Sequence, residues 1–357
     1  MERVNMNDKG TFIAVLLETS SKAYAAGAVL RIREKDTDSA MQVEQWGFQN
    51  LVQDMQLRLQ HLAVALACGR PEILTLDIEW LSASYLSRNV PIEFLRTCLH
   101  CLGEELKESL PEEGQQLVEE YLSHARSCLE IPSDAPKCLL DEQQPLGSLA
   151  RRFLQAVLGG DRGKAVGMIM DAIEKGATVE DIHLQVIVAV QRELGRLWQV
   201  GEGQIADEHF GSRIVEDVLA QLRSSLPAMT ESERCVVLAS VSGNLHDIGP
   251  RIVADHFERS GWRTIFLGAN MPIADLVQSV QRYAPDLVAL SVGQSTNLRS
   301  AADSIAALRA AIPGLAILVG GGPLEVVDGL WRDLGADAFA ANGAEAVAFG
   351  QSVVRAG

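Results

Sequence analysis

The chain has 357 residues, of which 47% are hydrophobic and 22% are charged, and its formal net charge at pH 7 is −16. This length suffices for two or three domains, and the composition is typical of globular proteins rather than of disordered or membrane-embedded ones. The negative charge and the lack of any run of lysine or arginine argue against binding to nucleic-acid backbones.

Residues 1–130 are predicted to form an N-terminal α-helical domain. Apolar residues recur at steps of three and four over Val43–Leu66, and a second such stretch covers Ile73–Leu86. A third stretch, Pro91–Leu102, begins with a proline, which the first turn of a helix tolerates. The last helix of this block is expected to end near Ala125.

The cysteines and the apolar stretches both favour a cytoplasmic location. The six cysteines are scattered, and no signal peptide precedes them, which favours reduced thiols. The apolar stretch Thr11–Leu30 is interrupted by Glu18 and Lys22, so it falls short of the roughly 20 apolar residues of a membrane-spanning helix. Cys98 and Cys101 have no second pair and no strand beside them, so we interpret both as structural rather than zinc-binding residues.

A proline-containing linker is predicted at residues 131–146, and a second helical block follows at residues 147–222. Four helical stretches with short connections in a block of this size are typical of a small four-helix bundle. These stretches are Leu149–Leu158, Arg162–Lys175, Val179–Gln199 and Ile205–Leu222. A short polar hinge is expected at Ser224–Ser232.

Residues 233–357 alternate short β-branched or apolar runs with amphipathic helical stretches. Five βα units in this length predict a doubly wound parallel sheet of five strands, so the fold class is α/β with two helical blocks in front. Ligands of such sheets bind at the carboxyl ends of the strands. The five runs are Cys235–Val241, Thr264–Leu267, Leu287–Ser291, Ala316–Val319 and Ala338–Ala340.

Glycine-rich segments follow the first, third and fourth predicted strands. The first has no G-x-G-x-x-G fingerprint and no lysine or arginine for a phosphate, and it presents a histidine between two glycines instead. Glycines allow a bulky ligand to lie directly against the backbone. We therefore expect a large, flat and mostly uncharged ligand with a coordinating metal. The segments are Gly243, Asn244, Leu245, His246, Asp247, Ile248 and Gly249, then Ser291, Val292 and Gly293, then Gly320, Gly321 and Gly322.

Their spacing resembles the cobalamin-binding domain shared by methionine synthase, the base-off mutases and corrinoid carrier proteins. That signature is D-x-H-x-x-G, about 41 residues, S-x-L, about 26 to 28 residues, and G-G. Here 41 residues separate Gly249 from Ser291, and 26 separate Gly293 from Gly320. The resemblance implies that His246 is the lower axial cobalt ligand, with the nucleotide tail of the cofactor displaced.

The resemblance also implies contacts of the other loop residues with cobalamin. Ser291, Gly320 and Gly321 would line the slot for the displaced tail. The further cofactor-binding residues expected in these loops are Asn244, Asp247, Ile248, Gly249, Gly293 and Gly322.

Two positions depart from the signature. The aspartate is Asn244, whose oxygen can accept a hydrogen bond from the imidazole without bringing a negative charge, so we expect a weaker bond from His246 to cobalt. Asp247 is a neighbouring carboxylate that could substitute for it. Gly293 stands where leucine is usual, which removes an apolar contact near the tail and leaves more room. His256, one helix later, is expected to be partly exposed.

The helical bundle carries a second resemblance. Trp198 is followed, after nine residues, by Glu208 and His209, which is similar to the W-x9-E-H pattern of CarH- and LitR-type cobalamin photoreceptors. This implies that the bundle caps the upper corrin face, with Trp198 on the upper ligand and Glu208 and His209 on the adenosyl group or corrin edge. Light-sensing members place a histidine directly after the tryptophan, and Gln199 stands there in this chain. The alternative is a core role for Trp198 and a surface charge at Glu208.

These features favour a sensory or regulatory protein rather than an enzyme, with adenosylcobalamin more than methylcobalamin as a light-sensitive ligand and no catalytic residue. The N-terminal domain has no basic recognition helix, so we expect output through a regulatory protein partner or a homo-oligomer, without direct contact to nucleic acid or membrane. The alternative is a corrinoid methyl carrier that serves separate methyltransferases. A third interpretation, the small subunit of a mutase, requires a partner barrel.

Overall fold

A computed structural model describes residues 8–130, 136–225 and 233–355 of the chain. It contains two compact units. The first unites the described residues up to 130 with two segments from the C-terminal part of the chain, Gln294–Ala302 and Pro323–Gly335, and the second contains the remaining residues.

Two predicted connections lie partly outside the described residues. Residues 131–135 of the predicted linker are not described, and residues 136–146 contain turns but no helix or strand. Of the predicted hinge, Ser224 and Ser225 are described and belong to a helix, and the remainder, 226–232, lies outside the described residues.

The first unit confirms the predicted helical N-terminal block, with seven α-helices within residues 8–130. They are α1 (Asp8–Thr19), α2 (Ser21–Lys35), α3 (Thr37–Trp46), α4 (Phe48–Cys68), α5 (Glu72–Ser87), α6 (Ile92–Ser109) and α7 (Glu112–Ser127). The periodic stretch Val43–Leu66 forms parts of two helices, because Gly47 has a φ of 81° and ends α3. The helix α4 is central, since it packs against α1, α2 and α5 and fully buries Met55 and Leu62.

Among the described residues, no single helix is long and apolar enough to cross a membrane. The pair Lys9–Thr19 and Ser21–Lys35, bent by 75°, reaches the required length and composition only when its two helices are taken together. Ala25, Val29 and Ile32 of α2 are fully buried within the protein.

The second unit begins with the predicted four-helix bundle. Its elements are α8 (Gly147–Leu158), α9 (Arg162–Glu174), α10 (Val179–Asp181), a π-helix (Ile182–Val188), α11 (Ala189–Gln199) and α12 (Ile205–Ser225). The helix predicted over Val179–Gln199 is continuous, but its central turns are wider than those of an α-helix, a distinction that the spacing of apolar residues does not make. Phe153, Ile169 and Val215 are fully buried in the bundle core.

The predicted parallel sheet follows. Its strands lie in the order β2-β1-β3-β4-β5, and every paired neighbour is parallel, which confirms the doubly wound α/β fold. The strands are β1 (Cys235–Ser240), β2 (Arg263–Phe266), β3 (Leu287–Ser291), β4 (Ala316–Gly320) and β5 (Ala338–Phe339). The helices are α13 (Ile248–Arg259), α14 (Ile273–Tyr283), α15 (Leu298–Ala311), α16 (Gly322–Val326), α17 (Leu330–Asp333) and α18 (Gly343–Arg355).

The register of the sheet aligns the ends of three strands. All six residues of β1 are buried, as expected of a central strand with helices on both faces. Ser240 pairs with Ser291, and Ser291 pairs with Gly320, so β1, β3 and β4 end side by side. From β1 the chain adds β2 on one side and then β3, β4 and β5 on the other, so the strand order switches between β1 and β3. Ligands bind at this switch point in doubly wound folds.

Candidate functional site

The adjacent carboxyl ends of β1, β3 and β4 collect all the loop residues singled out by the spacing pattern. Asn244–Gly249 lie in the loop after β1 and in the first turn of α13. Ser291 is the last residue of β3, Gly293 follows two positions later, and Gly320 is the last residue of β4. One edge of the sheet therefore presents a histidine, a serine and several glycines together.

The backbone of His246 is held by two side chains, whereas the residue itself is exposed. Its N–H donates to Oδ1 of Asn244 at 3.1 Å, and its carbonyl oxygen accepts from Oγ of Ser240 at 2.9 Å. Ser240 is fully buried. The loop thus presents the imidazole outward from a fixed backbone, as a metal ligand requires.

Asn244 is 1% exposed and connects the loop after β1 to β3, the neighbouring strand in the sheet. Its Nδ2 donates to the carbonyl oxygen of Ser291 at 3.1 Å, while its own backbone N–H donates to Val241 and its carbonyl accepts from Asn270. The amide oxygen that we expected opposite the imidazole therefore accepts from a backbone N–H instead. No hydrogen bond to the His246 imidazole occurs within the described residues.

Asp247 and Ile248 connect the loop to neighbouring helices. The carboxylate of Asp247 lies 3.6 Å from the guanidinium of Arg251, and Ile248 packs on the bundle core. The pKa of Arg213, on α12, is raised first by its hydrogen bond to Glu216 and, more weakly, by the charge of Asp247. The helix α12 therefore lies within electrostatic range of the loop after β1.

The glycines at this edge fall into two groups. A Cβ at Gly321, whose φ is +126°, would lie 2.0 Å from the carbonyl oxygen of Val292, and one at Gly320 would lie 2.9 Å from that of Ala340. Gly249 and Gly322 instead face open space, since an added Cβ would have no described atom within 4 Å apart from its chain neighbours and the backbone of its own helix. An exposed imidazole next to backbone that lacks side chains fits a corrin with an axial histidine.

The second predicted constellation lies where α11 and α12 meet. Trp198 is 38% exposed, so it is not part of the bundle core, although its neighbour Leu197 packs on that core. Oε2 of Glu208 lies 2.8 Å from Nδ1 of His209, and Oε1 of Glu208 accepts from Ser212. His209 is exposed, which leaves the pair accessible to a ligand.

The prediction that His256 is partly exposed was wrong, and the structure adds a buried polar cluster that sequence reasoning missed. His183 in the π-helix and His256 on α13 are both buried, with ring centroids 5.6 Å apart. The reason is packing from two sides, because a Cβ on Gly343 of α18 would lie 2.5 Å from the His256 ring. Burial lowers the pKa of His183 to about 3, helped by His256 and Arg259, and raises the pKa of Asp255 to about 6.

The C-x-x-C segment of α6 is structural. Cys98 and Cys101 are buried, and burial raises the pKa of each thiol. All six cysteines are free thiols. Within the described residues no group of three or more histidine, cysteine or acidic residues could hold a metal by itself, so His246 is the metal-ligand candidate that the spacing pattern supplies.

Comparison with known proteins gives a family match for the helical bundle and another for the part of the chain that contains the sheet. The family described as B12 binding domain matches residues 234–349, and a second family of the same description matches residues 149–223. The chain is 30% identical over 207 residues to the HTH-type transcriptional repressor CarA of Myxococcus xanthus, which covers 57% of this chain and 67% of that protein.

Corrinoid proteins are also similar to this chain. A corrinoid protein of Desulfitobacterium hafniense is 26% identical over 214 residues, covering 58% of this chain and 98% of that protein. The monomethylamine corrinoid protein of Methanosarcina barkeri shares the fold, with a TM-score of 0.51 and 19% identity over 58% of this chain and 99% of that chain. The chain therefore belongs to the family of cobalamin-binding-domain proteins, with cobalamin as its ligand.

Proposed function

We propose that this chain is an adenosylcobalamin-dependent light sensor that regulates other proteins. The supporting observation is the exposed end of α11 and α12, where Trp198 lies outside the bundle core and Glu208 is already paired with His209. A core role for Trp198 would require its burial. We further propose domain limits of 1–130, a linker at 131–146, a cap at 147–222 and the cobalamin domain at 233–357.

On the lower side, His246 supplies the axial imidazole and the cofactor is bound base-off. The fixed backbone of His246 supports this role, since the ring can meet a metal without movement of the loop. Ser291, Gly320 and Gly321 hold the displaced tail, and Gly249 and Gly322 leave space for the corrin against the backbone.

On the upper side, adenosylcobalamin supplies a cobalt–carbon bond that visible light can break. The indole of Trp198 stacks on the adenine, and the carboxylate of Glu208 accepts hydrogen bonds from the ribose hydroxyls. Loss of these contacts on illumination would remove a partner from both side chains and would shift the population of the bundle to a different packing.

The N-terminal unit provides the output. Two of its segments, Gln294–Ala302 and Pro323–Gly335, continue directly from Gly293 and Gly322 along the chain. They are held within this unit by ion pairs, with Arg299 2.6 Å from Glu18 and Arg70 2.8 Å from Asp333. A change at the tail slot can therefore reach the N-terminal helices through the backbone.

The output partner is a regulatory protein or a second copy of this chain in the cytoplasm, and the chain itself is not an enzyme. The net charge of −16 disfavours direct contact with DNA. The relative CarA is named as a transcriptional repressor, and this supports a role in transcription regulation.

The test compares two cofactors in darkness and in green light. The protein is loaded with adenosylcobalamin or with methylcobalamin, and its absorbance spectrum and oligomeric state are measured before and after illumination. We expect a light-dependent change of assembly with adenosylcobalamin and not with the Trp198→Ala protein. Photolysis at the rate of the free cofactor, with no change of assembly or partner binding, would contradict light sensing.

The second candidate is a corrinoid methyl carrier. Gln199 favours it, because light-sensing proteins place a histidine there, and so does the 98% coverage of the Desulfitobacterium hafniense corrinoid protein. In that role the chain would carry a methyl group between separate methyltransferases. Preferential binding of methylcobalamin, together with light-independent assembly, would favour the carrier.

A further inference from the structure

The two departures from the cobalamin signature, Asn244 and Gly293, lie against each other. A Cβ placed on Gly293 would lie 2.6 Å from Oδ1 of Asn244 and 3.2 Å from its Cγ and Nδ2. Real Cβ atoms do not approach heavy atoms this closely, so a side chain at position 293 and the observed position of Asn244 exclude each other.

Asn244 cannot move away without breaking buried hydrogen bonds. Its carboxamide accepts from the backbone N–H of His246 and donates to the carbonyl oxygen of Ser291, both at 3.1 Å. This pattern fixes the orientation of the amide, since a flipped amide would oppose two donors and two acceptors. The side chain is 1% exposed, so no water replaces a lost bond at low cost.

An aspartate could not make the same bonds at position 244. A carboxylate has no hydrogen to donate to the carbonyl oxygen of Ser291, and its charge would be buried among hydrogen-bond partners that, in the described part of the chain, are all backbone groups. Asn244 therefore does not simply replace the usual aspartate without its charge, because it donates a hydrogen bond to Ser291 that an aspartate could not donate.

We propose that Asn244 and Gly293 form one positioning pair, which fixes the backbone of His246 and leaves its imidazole without a protein acceptor. The proposal rests on the role of His246 as lower ligand. Metal-bound imidazoles usually donate their second N–H to a carboxylate or carbonyl, which fixes the ring and strengthens the bond. In this structure the amide oxygen of Asn244 accepts from the backbone N–H of His246, and the imidazole has no protein acceptor among the described residues. We therefore expect the lower ligand of this chain to be weakly held and readily exchanged.

The first test uses the full-length protein without cofactor. Asn244→Asp and Gly293→Leu each lower the midpoint of thermal unfolding, by roughly 3 °C or more, because the first removes the buried hydrogen bond to Ser291 and the second displaces the amide that makes it. In the double variant the midpoint falls by clearly less than the sum of the two single effects. The leucine side chain then no longer has to displace a buried amide that is held by hydrogen bonds. Gly167→Ala, at an exposed position of α9 with open space around it, serves as control and should leave the midpoint unchanged or raise it slightly, because alanine favours a helix more than glycine does.

The second test uses the protein loaded with cob(II)alamin. The nitrogen splitting in its electron paramagnetic resonance spectrum reports the fraction of cobalt that carries an axial imidazole. We expect a higher fraction in the double variant, Asn244→Asp with Gly293→Leu, than in the unaltered chain. The leucine displaces the new carboxylate from the position of the buried amide, and the carboxylate can then accept a hydrogen bond from the His246 imidazole.

The outcomes separate two failures. Additive losses in the apo series, or a stable Gly293→Leu protein, would overturn the positioning pair whatever the cofactor does. An unaltered splitting in His246→Ala would overturn the lower-ligand assignment instead, and with it the basis of the proposed function.

Discussion

The chain places its histidines in two contrasting regions. In the loop after β1, His246 is exposed and only its backbone is fixed. At the contact between α13 and the bundle, His183 and His256 are buried, and among the described residues three of their ring nitrogens have no hydrogen-bond partner. The same side chain is thus available to a ligand in one region and is held neutral by burial in the other.

Ligand binding and folding are therefore sensitive to changes in different regions of the protein. An exposed imidazole contributes little to folding, so a site built on it can be altered without loss of the fold. A buried imidazole without hydrogen-bond partners opposes folding whenever it takes up a proton.

The largest expected effect is on His246, and it tests the exposed side of the comparison. In His246→Ala we expect the affinity for cobalamin to fall by roughly 10- to 100-fold or more, because the proposed axial ligand is removed. The unfolding free energy of the apo-protein should change by less than about 0.5 kcal/mol. Absorbance titration measures the affinity, and denaturant unfolding measures the free energy of unfolding. An unchanged affinity would contradict the assignment of His246 as a ligand-binding residue.

The next effect concerns the buried pair and is a dependence on pH. The pKa values of His183 and His256 are lowered from 6.5, so the unfolded chain takes up protons at a higher pH than the folded protein does. The contribution of these histidines to stability is therefore complete above pH 6.5 and is lost as the pH falls towards about 3. Asp255 acts in the opposite direction, because its pKa is raised from 3.8 to about 6, and its contribution is lost as the pH rises through that window.

The variant His183→Leu isolates the histidine contribution. It removes two buried ring nitrogens that lack hydrogen bonds and should stabilise the protein by about 1–3 kcal/mol near pH 5, and by less at higher pH. The matched control is His124→Leu, an exposed histidine on α7, whose pH profile should follow the unaltered chain. Equal effects of both substitutions would remove the distinction between the two regions.

A smaller effect is expected at Trp198, which shares the exposure of His246. In Trp198→Ala the proposed preference for adenosylcobalamin over methylcobalamin should fall roughly threefold to tenfold, which is the value of one aromatic stacking contact. Trp198→Phe should retain part of the preference. Binding titrations in darkness measure the ratio, and a large loss of apo stability would instead place this residue with the buried group.

The smallest effect is expected in the N-terminal unit. Arg70 and Asp333 are partly exposed, so Arg70→Ala should cost at most about 1 kcal/mol of stability, and salt should reduce the difference. The proposed light-dependent change of assembly should nevertheless weaken in this variant, because Arg70 forms an ion pair with Asp333 in the segment that continues from Gly322. An unchanged light response would show that the proposed slot for the nucleotide tail does not act on the N-terminal unit through this segment.

Much of the fold could be predicted from local pattern. The alternation of short apolar runs with amphipathic stretches predicted the sheet, and the glycines after the first, third and fourth runs predicted its binding edge. The break at Gly47 was missed, because a single glycine within a periodic stretch leaves the apolar spacing intact. The π-helix was missed for a similar reason.

The partners of the site residues could not be predicted in this way. The bond from Asn244 to Ser291 joins residues 47 positions apart, and the exclusion between Asn244 and Gly293 depends on the register of β1 against β3. His256 was expected to be partly exposed, because its burial by Gly343 comes from a helix far along the chain.

The order of helices and strands, the parallel sheet and the place of His246 after its first strand could be predicted from the residue pattern, because they depend on the spacing of near neighbours. The hydrogen-bond partners of Asn244, the burial of His183 and His256, and the inclusion of segments after β3 and β4 in the N-terminal unit depend on how the elements pack. Burial and hydrogen bonding join residues far apart in the chain, and their outcome is fixed only when the elements pack.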